Sequence, residues 1–113
     1  DKSFFLQAVW RNDFGCGVSI LDTKNQVIDT HQITVGTLDA SLVHPREVFR
    51  AAIKDAASSV ILVHNHPSGD PTPSQQDHAV TRRLTESGEL IGIEVLDHIV
   101  LGKNGSISIQ AST

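Results

Sequence analysis

The sequence feature that most constrains the fold is the apolar run SVILVH, from Ser59 to His64. It is rich in branched residues and lacks the polar–apolar alternation of a strand with one solvent-facing side. We therefore expect a strand that is buried on both faces and covered by the rest of the chain. Residues 65–73 contain three prolines and one glycine, which predicts a loop at the end of this strand.

The segments before this strand predict a hairpin and a helix. Val18 to Leu21 and Gln26 to Val35 are apolar-rich runs on either side of a polar turn, as in two paired strands. Pro45 is a favourable first helical residue. Apolar residues then recur at helical spacing, which predicts an amphipathic helix over residues 45–57.

The segments after it predict a second helix and a second hairpin. Ser74 to Ser87 has a helical pattern, with Gly88 as the residue that ends the helix. Leu90 to Leu101 predicts a strand, Asn104-Gly105 a tight turn, and Ser106 to Gln110 a last strand. The order β-β-α-β-α-β-β predicts one domain of the α/β (α+β) class, with a mixed sheet and helices packed against it.

Length and composition indicate one soluble domain. The chain has 113 residues, of which 39% are apolar and 19% charged, an ordinary globular mixture. It shows neither a signal-peptide pattern nor an apolar run of about 18 residues, so we expect no membrane association. Its single cysteine, Cys16, excludes an internal disulfide and fits a reducing compartment, so we expect a cytoplasmic protein.

The charge balance argues against nucleic acid as the main partner. Nine Lys and Arg residues oppose 13 Asp and Glu residues, which gives a formal net charge of -4. Proteins that bind nucleic acid usually carry a basic excess. Arg46, Arg50 and Lys54 recur every four residues, but a solvated helix face explains them better than a binding patch. Nucleic acid is therefore a weakly supported partner.

Two histidines at the end of the buried strand form the most distinctive chemical pattern. Side chains two residues apart leave a strand on the same face, so His64 and His66 can reach one ion. Asp77 lies in the first turn of the second helix, and its carboxylate can turn back toward them. Two imidazoles and one carboxylate leave a fourth position for water, which is typical of catalytic rather than structural zinc. Zinc lowers the pKa of such a water toward neutrality.

Each half of this pattern also has an explanation without metal. An isolated His-x-His is usually a surface pair or a hydrogen-bonded pair. Ser74-x-x-Asp77 at a helix start is the pattern of a capping box, which stabilises a helix without any chemistry. Their occurrence together, at this spacing after a buried strand, favours a metal site over coincidence.

The same four residues resemble the core motif of a known family. H-x-H, seven residues, Ser, two residues and Asp is the pattern of the JAMM (MPN+) metalloproteases, and the chain matches it at His64, His66, Ser74 and Asp77. Longer stretches resemble the RadC-like branch of bacterial JAB-domain proteins. These stretches are GTLDASLVHPREVFRAAI (36–53), VILVHNHPSGDPTPSQQD (60–77) and IGIEVLDHIVLG (91–102). The resemblance runs from about Val18 to about Ile109, nearly the whole chain.

The resemblance implies a JAB/MPN domain over residues 1–113, with a cytidine-deaminase-like fold in which helices flank a curved mixed sheet. It also implies hydrolysis of a peptide or isopeptide bond by zinc-bound water, so the partner would be a peptide or protein substrate. By position, His64, His66 and Asp77 would bind Zn²⁺, and Ser74 would help to hold the tetrahedral oxyanion. RadC-like proteins also carry a historical DNA-repair label, which is a name rather than a chemical property.

The family also needs a glutamate that takes a proton from the zinc-bound water and passes it to the leaving amine. In the family this residue lies far upstream, where the chain reads Arg11-Asn12-Asp13-Phe14 and has no glutamate. Asp13 is one candidate, with a side chain one methylene shorter. Glu47 is the leading candidate, because a helix antiparallel to the strand at 59–64 would place its first turn near His64. A first-turn glutamate that only stabilises the helix dipole is an equally good explanation of Glu47.

The remaining chemical residues have simpler explanations. Asp97-His98 would orient a metal-bound histidine, but an ordinary buried polar pair explains it at least as well. Cys16 is expected to be a small buried residue rather than a nucleophile. His31, His44 and His78 have no evident partner and are treated as structural.

Two functions compete for the whole chain. The complete ligand set favours a zinc-dependent peptidase or isopeptidase. The unclear glutamate favours a non-catalytic binding module associated with DNA repair, which would dock through basic side chains. These side chains are Arg46, Arg50, Lys54, Arg82 and Arg83. Zinc-dependent attack on another bond, such as a nucleotide or nucleobase amide, is a third alternative. Neither the substrate nor the oligomeric state can be read from the sequence.

Overall fold

The computed structural model of the chain describes residues 14–35, 43–66, 68–103 and 105–110. In this part of the chain, strands and helices follow the predicted order β-β-α-β-α-β-β. The strands are β1 (Phe14–Leu21), β2 (Val27–Val35), β3 (Ser59–Asn65), β4 (Glu94–Leu101) and β5 (Ser106–Ser108), and the helices are α1 (Pro45–Lys54) and α2 (Gln75–Ile91).

The five strands form one sheet in the order β2-β1-β3-β4-β5. β1 is antiparallel to β2 and β3, β3 is parallel to β4, and β4 is antiparallel to β5. The sheet is therefore mixed, which confirms the predicted α+β class. β3 is the central strand and all seven of its residues are buried, as its apolar sequence predicts.

Both helices pack against one face of the sheet. Phe49 of α1 and Leu84 of α2 belong to one buried cluster with Leu62 of β3, and complete burial of such a side chain contributes about 1.5–3 kcal/mol. Because side chains two residues apart share a face, His64 points to the same side as Leu62. The first histidine of the pair thus lies under the helices, in the protein interior.

Helix α2 corrects two predictions. Gly88 does not end the helix, which continues to Ile91 and ends at Gly92 with φ 88°. Gly88 is instead required by close packing, because a Cβ there would overlap the carbonyl oxygen of Ile93. The strand predicted from Leu90 consequently begins at Glu94.

Other element ends also differ from the predictions. α1 stops at Lys54 rather than at residue 57, because Ala56 takes the left-handed conformation with φ 54° and Ala57 N–H donates to Ala52 O. β1 begins at Phe14 rather than Val18, β2 begins at Val27, and β3 extends to Asn65. β5 ends at Ser108 rather than at Gln110, although Ile109 N–H still donates to His98 O in the same antiparallel register.

The predicted second hairpin is present, because Leu101 pairs with Ser106 in antiparallel register. Asn104 of its turn lies outside the described residues. In the part of the chain that the structure describes, no helix is long and apolar enough to cross a membrane.

Candidate metal centre

The crossover from β3 through α2 brings three predicted ligands together. His64 and His66 lie at the C-terminal end of β3, and Asp77 lies in the first turn of α2. His64 Nδ1 is 2.7 Å from Asp77 Oδ1, and His66 Nε2 is 3.0 Å from Asp77 Oδ2. The Asp77 carboxylate therefore bridges the two imidazoles, with one oxygen facing each ring.

The start of α2 orients this carboxylate. Ser74 is the N-cap, and its Oγ accepts from Asp77 N–H at 3.2 Å. Ser74 N–H and Ser74 Oγ–H donate to Asp77 Oδ2 at 2.7 and 2.9 Å. The predicted capping box is thus present, and the same contacts hold Asp77 in the position that a metal ligand would need.

The hydrogen bonds of His66 determine which ring nitrogen carries a proton. His66 Nδ1 lies 2.8 Å from the carbonyl oxygen of Asp70, which can only accept, so Nδ1 is the donor. In neutral His66 the Nε2 lone pair then faces Asp77 Oδ2 at 3.0 Å. Two acceptors face each other here, and a cation between them removes the conflict. A backbone carbonyl that holds the second ring nitrogen is also the usual environment of a metal-bound histidine.

The contact between His64 and Asp77 also favours a bound cation. Their 2.7 Å separation is short enough for a hydrogen bond. However, a ring N–H at Nδ1 does not point at the oxygen, so His64 Nδ1 and Asp77 Oδ1 are both buried without a hydrogen-bond partner in the part of the chain that the structure describes. The contact is therefore electrostatic. Buried ligand atoms that converge without bonding to each other fit a shared cation.

The charge state of Asp77 is suited to a cation. Burial raises the pKa of this carboxyl, but the contact with His64 and the hydrogen bonds from Ser74 outweigh burial and hold the pKa well below its usual range. Asp77 is therefore ionised at neutral pH although its side chain is fully buried. A buried anion of this kind requires a positive partner.

The loop after β3 is fixed against the second hairpin. Gly69 N–H donates to His66 O, and Lys103 N–H donates to Gly69 O. Gly102 is packed so closely that a Cβ there would overlap Gly69 O and lie 2.6 Å from Pro71 Cδ. This packing holds the loop that supplies the Asp70 carbonyl to His66.

Thr72 shapes the same loop from the side of Asp70. Its backbone N–H and its hydroxyl donate to Asp70 Oδ1 at 3.0 and 2.7 Å and lower the pKa of that carboxyl. The Asp70 side chain is therefore used in the turn, while its backbone carbonyl serves His66.

His98 joins the centre from β4, on the buried side. Ligand atoms of His64, Asp77 and His98 all lie within 4.8 Å of one another. His98 is fully buried, and burial lowers its pKa to about 4, so the ring is neutral. Asp97, the other half of the predicted polar pair, accepts instead from Ser108 Oγ on β5. The sequence did not reveal the position of His98, because the alignment of β4 beside β3 is a long-range property.

The described ion pair of Glu47 lies at the protein surface. Glu47 lies in the first turn of α1, where its Oε1 is 3.6 Å from Arg46 Nε at the surface. Among the contacts of the described residues, none joins Glu47 to the ligands, and its role as proton carrier stays a prediction. Asp13, the other candidate, lies outside the described residues.

Two further predicted positions have simple environments. Cys16 is fully buried opposite His64 in the β1–β3 ladder, and burial, aided by the charge of Asp77, raises its pKa to about 12. His31 lies 2.8 Å from Asp55 Oδ2 and 3.5 Å from Asp29 Oδ2, which links β2 to the end of α1 at the surface.

Comparison with known proteins identifies the family of this domain. A family model described as the RadC-like JAB domain matches residues 8–113. The chain belongs to the RadC-like JAB domain family. Its resemblance through the H-x-H, Ser and Asp motif is therefore confirmed at the level of the family.

Similar RadC-like proteins occur in several bacteria. A UPF0758 protein of Symbiobacterium thermophilum is 60% identical over 93 residues, which are 82% of this chain and 40% of that protein. UPF0758 proteins of Desulforamulus reducens and Bacillus cereus are 58% and 59% identical, over 81% and 80% of this chain and 40% of each relative. The chain thus spans about 40% of the length of these relatives. Their names state no reaction or substrate.

Proposed function

We propose that this RadC-like JAB domain is a zinc-dependent hydrolase of the JAMM type that cleaves peptide or isopeptide bonds. The observation that carries the proposal is the convergence of His64 Nδ1 and His66 Nε2 on the two oxygens of Asp77, at 2.7 and 3.0 Å. Two imidazoles and one carboxylate are the protein ligands of hydrolytic zinc centres, which keep a position for water. When bound, zinc would lower the pKa of that water and polarise the scissile carbonyl.

The surrounding residues prepare these ligands. The Asp70 carbonyl keeps the His66 Nε2 lone pair directed at the site, and Ser74 holds the Asp77 carboxylate. His66 is partly exposed and Ser74 is exposed, whereas His64 is buried. A substrate would therefore approach from the side of His66 and Ser74. There the Ser74 hydroxyl would stabilise an oxyanion by turning its proton from Asp77 Oδ2 to the substrate.

Proton transfer needs a carboxylate that the ligand set does not supply. We propose Glu47 for this role, with Asp13 as the alternative. Glu47 is exposed, and its described ion pair is with Arg46, a surface contact of low energy. A change of side-chain rotamer would therefore release Glu47 from Arg46 at small cost.

The proposed function is tested with a panel of fluorogenic peptides and lysine-linked isopeptides. The zinc-loaded protein is expected to cleave at least one member, while addition of a chelator or the substitution Asp77→Asn abolishes cleavage. Ser87→Ala is the matched control and should retain the rate, because Ser87 lies in the same helix with its hydroxyl bonded to Arg83 O. Absence of cleavage by zinc-loaded wild type across both substrate classes would contradict the proposal.

The substitution Glu47→Gln tests the proton-transfer step separately from zinc binding. If Glu47 carries the proton, this variant binds zinc as wild type does but loses turnover. Unchanged turnover would remove Glu47 from the mechanism and leave Asp13 as the candidate.

A non-catalytic binding module is the second candidate function. The surface ion pair of Glu47 with Arg46, without a described contact to the ligands, is the observation that favours it. Arg46, Arg50 and Arg82 are exposed, whereas Arg83 donates to the Val43 carbonyl. Salt-dependent binding of DNA that is lost in an Arg46→Gln, Arg50→Gln variant, together with no hydrolysis, would support this function.

A further inference from the structure

We propose that His98 is a fourth protein ligand of the metal centre and binds from its buried side through Nε2. The inference rests on the metal site of the proposed function and adds a residue that lies outside the H-x-H, Ser and Asp motif. His98 is fully buried on β4, and its Nε2 has no hydrogen-bond partner among the described residues.

The hydrogen bonds around Thr81 assign the proton of His98. Thr81 Oγ1 lies 2.9 Å from the carbonyl oxygen of Asp77 and 2.7 Å from His98 Nδ1. A carbonyl only accepts, so the single hydroxyl proton of Thr81 goes to Asp77 O. The Thr81 oxygen must then accept from His98 Nδ1–H, which leaves a lone pair on His98 Nε2.

Burial keeps this lone pair available. Buried ring nitrogens are normally satisfied by a hydrogen bond or by a metal. In the described structure Nε2 of His98 has no hydrogen-bond partner, while Nδ1 is held by Thr81. One ring nitrogen held by a protein acceptor and the other left free is the arrangement of a metal-bound histidine.

The sheet register places His98 beside the other ligands. β4 runs parallel to β3, and His98 pairs with Leu62. Leu62 lies two residues before His64, so its side chain is on the same face of the sheet. Two ligand atoms about 2.1 Å from one zinc ion lie at most about 4.2 Å apart. The ligand atoms of His64, Asp77 and His98 lie within 4.8 Å of one another, so small side-chain movements bring them around one ion.

A fourth protein ligand changes how the centre would work. His98 would supply a nitrogen ligand from the buried side of the centre, beside His64 and Asp77. The partly exposed side near His66 would stay open to water and substrate. His98 would thus strengthen metal binding and restrict the position of the water.

The ligand count is measured directly by NMR on cadmium-substituted protein with isotope-labelled histidine. Scalar coupling to cadmium is expected at three histidine nitrogens, including Nε2 of His98. Coupling to His64 and His66 alone would overturn the proposal for His98 and leave the proposed function intact. Because this experiment uses the wild-type protein, it does not depend on whether any variant folds.

Zinc affinity of variants gives a second test. His98→Gln is expected to weaken zinc binding by more than about 100-fold, and Thr81→Val, which keeps His98 but removes its partner, by about 10–100-fold. His78→Gln, an exposed histidine on α2, is the control and should bind zinc as wild type does. A folded His98→Gln variant with wild-type affinity would refute the role of His98. Absence of zinc binding by wild type would instead refute the metal site itself.

Discussion

His66 Nε2 and Asp77 Oδ2 face each other at 3.0 Å, although His66 already donates its Nδ1 proton to the carbonyl of Asp70. With the His66 proton on Nδ1, these two atoms are both acceptors, and Asp77 Oδ2 already receives two donors from Ser74. Only an additional positive species, a proton or a metal ion, makes the pair favourable. This contact links the geometry of the loop after β3 to the zinc-dependent hydrolysis that we propose for the domain.

Zinc should stabilise the wild-type fold. A ligand that binds only the folded state at 1,000 times its Kd adds about 4 kcal/mol, which raises Tm by many degrees in a domain of this size. Asp77→Asn lowers the starting Tm because it disturbs the helix cap, but it should also lose the shift with zinc. Thermal unfolding with zinc and with chelator measures the Tm shift of each protein. Equal Tm shifts in wild type and in Asp77→Asn would contradict the metal site.

Removal of the Ser74 hydroxyl should affect stability and metal binding together. Ser74→Ala is expected to cost about 1 kcal/mol of unfolding free energy, because it removes the helix cap. It should also weaken zinc binding, since Ser74 holds Asp77 in place. Ser87→Ala on the same helix should stay within about 0.5 kcal/mol. Urea unfolding measures the change in unfolding free energy, and zinc titration measures the change in affinity. A wild-type zinc affinity in Ser74→Ala would show that the cap does not support the metal ligand.

The loop after β3 should be sensitive to a methyl group added at Gly102, which packs against it. Gly102→Ala forces a Cβ against Gly69 O and Pro71, so we expect a loss of about 1–3 kcal/mol. Zinc affinity should fall too, because the displaced loop carries the Asp70 carbonyl. At Gly105 a Cβ would meet nothing within 4 Å, which makes Gly105→Ala the matched control. If the two variants behaved alike in unfolding and zinc titration, the loop would not be held as described.

Cys16 should resist thiol reagents while the protein is folded. Burial raises its pKa from 9.0 to about 12, so almost no thiolate exists at neutral pH and the sulfur is not accessible. Labelling with a thiol reagent should be slow in buffer and fast in denaturant. The raised pKa also means that stability is lost as pH rises from about 9 toward 12. Rapid labelling of the native protein at neutral pH would contradict this environment.

Much of the fold was predictable because local patterns determine it. The apolar run of β3, the apolar spacing of α1 and the turn before β5 each identify their own element. The spacing of His64, His66 and Asp77 identified the atoms that meet in space, since a strand end and a helix start are joined by a short loop. These features depend on neighbours in sequence.

The features that the sequence did not reveal depend on distant contacts. The left-handed turn at Ala56 has no glycine to signal it, and Gly88 is a packing residue rather than a helix end. The position of His98 follows from the register of β4 beside β3.

The metal content of the purified protein tests the central claim most directly. Protein prepared without chelator is analysed by mass spectrometry beside a His66→Ala, Asp77→Ala double variant, with His78→Gln as the control for loss of a histidine. We predict about one zinc ion per chain in wild type and in the control, and none in the double variant. Wild-type protein that holds no metal even after zinc is added back would contradict the metal centre.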